Sequence, residues 1–207
     1  MRRTLFVMCA LSLATACVSG AWAQQPPPAC GELVGGFLVG VPGLGDSDVY
    51  DVNYGVQFEY RHWFENGLGA GAWFGVEQWE AGDGTRHWDR AADGDLRAVP
   101  LGLSGLYRVW SDEVWAVTLR AGLGYVWTDS DLRFKYLPGS GRIDVGNGWI
   151  ADIGVEVDYR CSERMTVFGA VMIRTDLDRG CASFEGGDLQ DNHLEGFNGV
   201  LGLKWMI

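Results

Sequence analysis

The chain has 207 residues and a formal net charge of −11, with 27 acidic residues against 16 basic ones. Such acidity argues against a nucleic-acid partner or an anionic surface held by net charge. The length suits one domain, and beyond the N-terminus no stretch approaches the roughly 20 continuous apolar residues of a membrane-spanning helix. A chain of this kind can cross a membrane only as a closed sheet, because backbone groups that face lipid must be paired internally.

The N-terminus has the parts of a secretory signal peptide. Two arginines precede an uncharged apolar stretch, which is followed by Ala21-Trp22-Ala23, a small-x-small cleavage site. We therefore predict Sec-dependent export, with a signal peptide at 1–23 and a periplasmic tail at 24–31. A loose lipobox offers an alternative, in which Cys17 becomes a lipid-anchored N-terminus.

From residue 32 onward, apolar and polar residues alternate in segments that are separated by turn residues, which is the pattern of half-buried β-strands. The clearest segment sets Val52, Phe58 and Tyr60 on one face against Asn53 and polar residues on the other. No segment has a helical period. We predict eight strands, at 32–41, 50–64, 67–79, 97–110, 114–127, 145–160, 165–174 and 194–207.

The predicted connections alternate in length. Three are tight hairpin turns, at Glu65-Asn66-Gly67, Ser111-Asp112-Glu113 and Cys161–Arg164. The other four are longer and rich in Gly and Asp, and lie near 42–49, 80–96, 128–144 and 175–193. An even strand number with short turns at one end and long loops at the other is typical of outer-membrane barrels. We predict an all-β fold, an eight-stranded antiparallel up-and-down transmembrane β-barrel over 32–207, with extracellular long loops.

The two faces of the predicted strands differ in a way that indicates which one meets lipid. One face carries nearly all the large apolar residues, and the other carries Gly, Ser, Thr and charged residues. The interior of an eight-stranded barrel has room only for side chains, so the apolar face is expected outside. Aromatic residues form two expected girdles at the membrane boundaries. Beside the short turns lie Tyr60, Trp63, Phe64, Tyr107, Trp110, Trp115, Tyr159 and Trp205, and toward the long loops lie Tyr50, Trp79, Tyr125, Trp127 and Trp149.

These features resemble the small eight-stranded outer-membrane barrels of the OmpA-barrel, OmpX and opacity-protein type. The resemblance covers Cys30 to Ile207 and includes the leader that ends at Ala23. In that family the final strand usually ends on an aromatic residue that the assembly machinery recognises. This chain departs from the pattern, since it ends on Ile207 with Trp205 two residues earlier. The resemblance implies an architecture and no ligand.

Charged residues on the inward face are the most specific polar feature. Basic and acidic side chains occur there in comparable number, so we predict a paired network that fills the lumen, because unpaired charge in so narrow a space is costly. The predicted members are Glu59, Arg61, Glu77, Arg108, Arg120, Asp152, Glu156, Asp158, Arg160, Arg174 and Lys204.

The sequence gives little support for catalysis or metal binding. Outer-membrane lipid A deacylases resemble this fold and carry a His-x-Ser pair on a strand, but none of His62, His87 and His193 has Ser two residues on. Acidic residues of the loops lack EF-hand spacing, and we interpret them as solvated charge. Those residues are Asp89, Asp93, Asp95, Asp176, Asp178 and Glu185. We predict no catalytic residue, no cofactor and no metal site.

Three cysteines, Cys30, Cys161 and Cys181, follow the predicted signal peptide. In an oxidising compartment this odd number predicts at most one internal disulfide. A membrane core of roughly 30 Å separates Cys161, in a short turn, from Cys181, in a long loop. Cys30 and Cys161 share the periplasmic end and form the possible disulfide, with three free thiols as the alternative.

We expect an outer-membrane protein of a Gram-negative-type bacterium with a structural or surface-recognition role, in envelope integrity, adhesion or ligand contact through its four loops. The expected partners are membrane lipids and the outer-membrane assembly machinery, without nucleic acid, and we expect a monomer. A porin-like channel for small solutes is the first alternative, and a lipid-modifying enzyme is the second. Paired lumen charges favour a closed barrel over a channel.

Overall fold

A computed structural model of the protein describes residues 30–42, 50–81, 92–134, 142–177, 182–184, 187–189 and 196–207. The predicted signal peptide at 1–23 lies outside these residues. Eight long strands form a closed antiparallel barrel, in which each pairs with the long strands before and after it and the first pairs with the last. Numbered with all strands in chain order, they are β1 (Cys30–Pro42), β2 (Tyr50–Trp63), β3 (Leu68–Ala81), β5 (Asp95–Ser111), β6 (Trp115–Ser130), β9 (Gly148–Arg160), β10 (Met165–Asp176) and β13 (Gly196–Met206). The predicted fold class is confirmed.

Five short strands form a second sheet, which was not predicted from the sequence. They are β4 (Ala92–Asp93), β7 (Leu132–Phe134), β8 (Arg142–Val145), β11 (Ala182–Phe184) and β12 (Gly187–Leu189). They lie within three of the four long connections and pair in the order β12, β11, β8, β7, β4. Each has only two to four residues, so alternation cannot be recognised among the surrounding turn residues.

The outer face of the barrel is apolar. Leu103, Val171 and Leu201 are 68%, 63% and 66% exposed, and most outward positions of the barrel strands carry similar side chains. So much apolar surface on one molecule is stable only against another apolar phase. The outer face is therefore the lipid-facing one. Within the described part of the chain, no helix is long and apolar enough to cross a membrane.

The short turns are stabilised locally, the first by a glycine and the other two by polar side chains that accept backbone hydrogen bonds. At the first turn Gly67 has a φ of 76°, a conformation that favours glycine. At the second, Asp112 accepts hydrogen bonds from the backbone N–H groups of Val114 and Trp115, at 2.7 and 2.6 Å. The hydrogen bonds from Trp115 and then Val114 lower the pKa of the exposed Asp112 carboxyl. At the third, Ser162 accepts from the N–H of Met165 at 3.1 Å.

Candidate functional site in the barrel lumen

The lumen has two unlike walls. One is apolar and is formed by β1, β10 and β13, whose buried side chains contact one another. Most buried charged side chains lie on the other strands and face this wall. The apolar residues are Val34, Leu38, Phe168, Ala170, Met172 and Val200.

Seven charged residues from four strands form what we call the central ion cluster. Arg61 lies in its middle and donates to both oxygens of Glu156, at 2.7 and 2.9 Å. The same guanidinium donates to Glu59 through Nε at 2.9 Å and through a terminal nitrogen at 2.7 Å. The members are Glu59, Arg61, Arg120, Asp152, Glu156, Asp158 and Lys204.

Lys204 extends the central ion cluster toward the short-turn end. Its ammonium donates to Asp158 at 2.8 Å and also to Glu156. The hydroxyl of Ser104 donates to Glu59 on the opposite side of the cluster. Asp158 therefore shares its cation with a second carboxylate.

Arg120 extends the cluster toward the long-loop end. Its guanidinium donates to Asp152 at 2.8 Å, contacts the sulfur of Met172 and lies 3.7 Å from Glu59. It also lies over the ring of Trp73, at 5.4 Å from the centroid. Arg120 thus joins the charged wall to the apolar one.

Two further ion pairs flank the central ion cluster. On the long-loop side, Arg174 holds both oxygens of Glu77, at 2.7 and 2.8 Å, while Asn53 donates to Glu77 at 3.5 Å. On the short-turn side, Arg108 lies 3.8 Å from Glu32, a longer contact. Glu32 was not predicted as a lumen residue, although strand alternation places it on the inward face together with Val34.

Buried tryptophans complete the lumen, and two of them correct the predicted girdle. Trp63 and Trp79 are 0% and 1% exposed and point inward, not toward lipid. Strand alternation explains this, because Trp63 shares a face with Arg61. The Trp63 ring lies over Gly69, which leaves room for it, and the guanidinium of Arg108 stacks on it at 4.1 Å from the centroid.

The other predicted girdle residues with described side chains are exposed or half-buried on the outer face. Trp115 contacts Tyr159 edge to face, with centroids 4.9 Å apart, near the short turns. Tyr125 contacts Trp127 and Trp149 in the same way, at 5.1 and 5.4 Å, near the long loops. The remaining ones are Tyr60, Phe64, Tyr107, Trp110 and Trp205.

Two other predictions need correction. Arg160 has the alternation of an inward residue but is exposed, because it is the last residue of β9, beside the turn at the mouth of the barrel. Cys30 and Cys161 are both free thiols, so the possible disulfide between them is not formed. Cys30 lies on β1 and Cys161 lies in the turn between β9 and β10, so that β13 separates the two backbones. Cys181 lies outside the described residues.

The histidines are not brought near a nucleophile in the part of the chain that the structure describes. The His62 side chain is exposed on the outer face and meets the ring of Phe64 edge to face at 5.2 Å. His87 and His193 lie outside the described residues. Among the described residues, no group of three or more His, Cys, Asp or Glu side chains could hold a metal ion.

The barrel is similar in structure to known outer-membrane proteins of low sequence identity. No protein-family model and no curated protein matches the sequence. Outer membrane protein OprG from Pseudomonas aeruginosa superposes with a TM-score of 0.65 at 15% identity, covering 88% of this chain and 98% of OprG. AlkL, an outer membrane protein solved in DMPC lipid bilayers, gives 0.55 at 15% identity, covering 90% and 94%. A major outer membrane protein from Thermus thermophilus gives 0.54 at 14% identity, covering 87% and 100%.

The chain has the fold of the small eight-stranded outer-membrane barrels. The superpositions establish this fold, and identities of 14–15% do not transfer the role of any of these proteins to this chain. The transmembrane barrel class predicted from the sequence is confirmed. In an outer-membrane barrel, the apolar outer face meets hydrocarbon and the two aromatic clusters mark its boundaries with water.

Proposed function

We propose that the protein resides in the outer membrane of a Gram-negative-type bacterium, where its closed barrel supports a structural or surface-recognition element outside the cell. Support comes from the lumen: the cavity between the two walls has a volume of about 10 Å³, about that of one water molecule. Arg61 lines it together with its two partners, Glu59 and Glu156, each at 2.7 Å. A filled eight-stranded core leaves no aqueous path.

The second sheet supports a role outside the cell. It links three of the long connections, so that these loops brace one another. In the part of the chain that the structure describes, the connections at the short-turn end are tight hairpins. Because loops on a rigid scaffold commonly carry binding sites, the second sheet is the proposed recognition element. Lipids and the assembly machinery remain the proposed partners of the barrel itself, which we propose to be monomeric and non-catalytic.

The test exchanges the hairpins for short turns. In one variant, β7–β8 and β11–β12 are each replaced by a copy of the Glu65-Asn66-Gly67 turn. In the matched control, the turn at Cys161–Arg164 receives a neutral sequence of the same length. Both variants are expressed in a strain that lacks the protein. We expect both to fold and only the hairpin variant to lose adhesion or resistance to envelope stress. Equal rescue by the two folded variants would contradict the proposal.

A further inference from the structure

The charges of the described lumen residues do not balance. Among the described residues, five basic side chains lie in the lumen against six carboxylates. Both flanking pairs are one to one, so the surplus falls in the central ion cluster, which has four carboxylates and three cations. The basic residues are Arg61, Arg108, Arg120, Arg174 and Lys204, and the acidic ones are Glu32, Glu59, Glu77, Asp152, Glu156 and Asp158.

An uncompensated charge in a dry interior is strongly unfavourable, and a buried group usually becomes neutral instead. The neutralising species must be very small, because the cavity beside the cluster has a volume of only about 10 Å³. We infer that the central ion cluster is a binding site for one proton, which Asp158 carries at neutral pH. This inference rests on the closed lumen proposed above.

Among the carboxyl groups of the cluster, Asp158 has the weakest interaction with a cation. Glu156 accepts from Arg61 twice and from Lys204 as well. Asp158 contacts Lys204 alone, and that ammonium is shared. When Asp158 is protonated and therefore neutral, the charge of Lys204 is available to Glu156 alone.

The two other carboxylates of the cluster are better supported. Glu59 accepts from Arg61 through two nitrogens and from the hydroxyl of Ser104. Asp152 accepts from Arg120 at 2.8 Å and lies directly opposite Arg174 in the sheet. Glu59 therefore has more hydrogen-bond donors than Asp158 has, and Asp152 has a second cation opposite it in the sheet, which Asp158 lacks.

Asp158 also has a route for exchange with the periplasm. It is 5% exposed and lies two residues before Arg160, which is exposed at the mouth of the barrel. The residues opposite it on the adjoining strands, Ala116 on β6 and Phe168 on β10, carry no charge. The charged groups that share this end of the lumen are Lys204 of β13, Glu156 of β9, Arg61 of β2, Glu32 of β1 and Arg108 of β5.

The direct test is infrared spectroscopy of the refolded protein in lipid, which detects the C=O stretch of a protonated carboxyl group. At pH 7 we expect a band from one such group per barrel, which disappears when the pH is raised far enough to release the proton. Asp158→Asn should lose the band entirely. Asp152→Asn is the matched control and should keep it, because Asp152 belongs to the same cluster but accepts from Arg120, which does not contact Asp158.

A second readout is stability against pH. The folded barrel holds a proton that the unfolded chain releases above about pH 4, so stability falls as pH rises between that value and the pH at which the folded barrel releases it. One proton corresponds to a tenfold loss in the folding equilibrium constant per pH unit across that window. Asp158→Asn should remove this slope, whereas Asp152→Asn should lower stability and keep it.

Several results would overturn the inference. The absence of a protonated-carboxyl band at pH 7, or a band that survives in Asp158→Asn, would do so. A folding equilibrium that depends on sodium or potassium and not on pH would assign the charge balance to a metal cation. Conductance is measured on the same preparation, so that an open lumen, which would refute the proposed function, is recognised separately from a closed lumen without a proton.

Discussion

At the scale of single residues, each cation of the central ion cluster contacts two carboxylates. Arg61 donates to Glu156 and Glu59 at once, and Lys204 and Arg120 continue this arrangement toward the two ends. The Arg61–Glu156 and Arg174–Glu77 pairs join strands on opposite sides of the barrel, so these two pairs also fix which strands lie across the lumen from each other. The cost of removing one member is therefore the cost of leaving its partners buried without compensation.

The first prediction concerns Arg61. Arg61→Met keeps most of the side-chain volume but removes the cation that Glu59 and Glu156 share, so we expect a loss of about 3–5 kcal/mol in the free energy of unfolding. The measurement is urea unfolding of the refolded barrel in lipid or detergent. Arg164→Met, at an exposed turn, is the control and should change stability by no more than about 0.5 kcal/mol. Equal effects of the two substitutions would contradict the proposed importance of the cluster.

The second prediction concerns the turn at Asp112. Its carboxylate accepts two backbone hydrogen bonds, and its folded pKa is lowered from the ordinary value of 3.8. The contribution of the carboxylate is therefore present above pH 3.8 and is lost as pH falls through the lowered folded pKa. NMR shifts of the Val114 and Trp115 amides should titrate below that pH. In Asp112→Asn they should stay constant, and a titration at the same pH there would refute the assignment.

At the scale of strands, glycines on the inner face make room for large side chains from neighbouring strands. The Trp73 ring lies against Gly102 of β5 and Gly124 of β6, and a Cβ atom on Gly102 would approach the Leu123 carbonyl oxygen to 2.5 Å. The outward Gly105 of the same strand has nothing within 4 Å of that position. One strand thus offers a crowded glycine and an uncrowded one.

The third prediction uses this contrast. Gly102→Ala should destabilise the barrel by about 1–3 kcal/mol, because the added methyl group displaces backbone or the Trp73 ring. Gly105→Ala adds the same group on the lipid-facing side and should be neutral or slightly stabilising. Unfolding midpoints in urea decide between them. If the Gly102→Ala protein were as stable as the Gly105→Ala protein, the close packing of the Trp73 ring against Gly102 would be contradicted.

Alternation was sufficient to locate the barrel strands and most inward charges. The ends of β6 and the five short strands of the second sheet were missed. In loops rich in Gly and Asp, strands of two to four residues are too short for alternation of apolar and polar residues to be recognised. Trp63 was assigned to the girdle from its position beside a turn, although its alternation with Arg61 places it inside. The partner of each charge could not be predicted, because Arg61 and Glu156 are 95 residues apart and meet only across the closed barrel.

At the scale of the whole molecule, the barrel has a short-turn end and a long-loop end, which we propose to lie on opposite sides of a membrane. Cys161 is an exposed free thiol at the short-turn end. The second sheet marks the other end.

The fourth prediction tests this orientation. In a chain with Cys30→Ser and Cys181→Ser, a bulky maleimide that cannot cross the outer membrane should label Cys161 only after that membrane is opened. A cysteine inserted between β7 and β8, with Cys161→Ser added, should be labelled on intact cells. The reverse pattern would invert the topology.

The central claim is that the lumen is closed, and conductance across a planar lipid bilayer tests it most directly. The refolded chain is added alone, with a 16-stranded porin as the positive control. We expect no steady conductance above the bilayer background, because the ion cluster and the apolar wall fill the core. Arg61→Met should unfold more readily without becoming a stable pore. Large, steady, ion-selective channels from the unmodified protein would contradict the account and make solute passage its function.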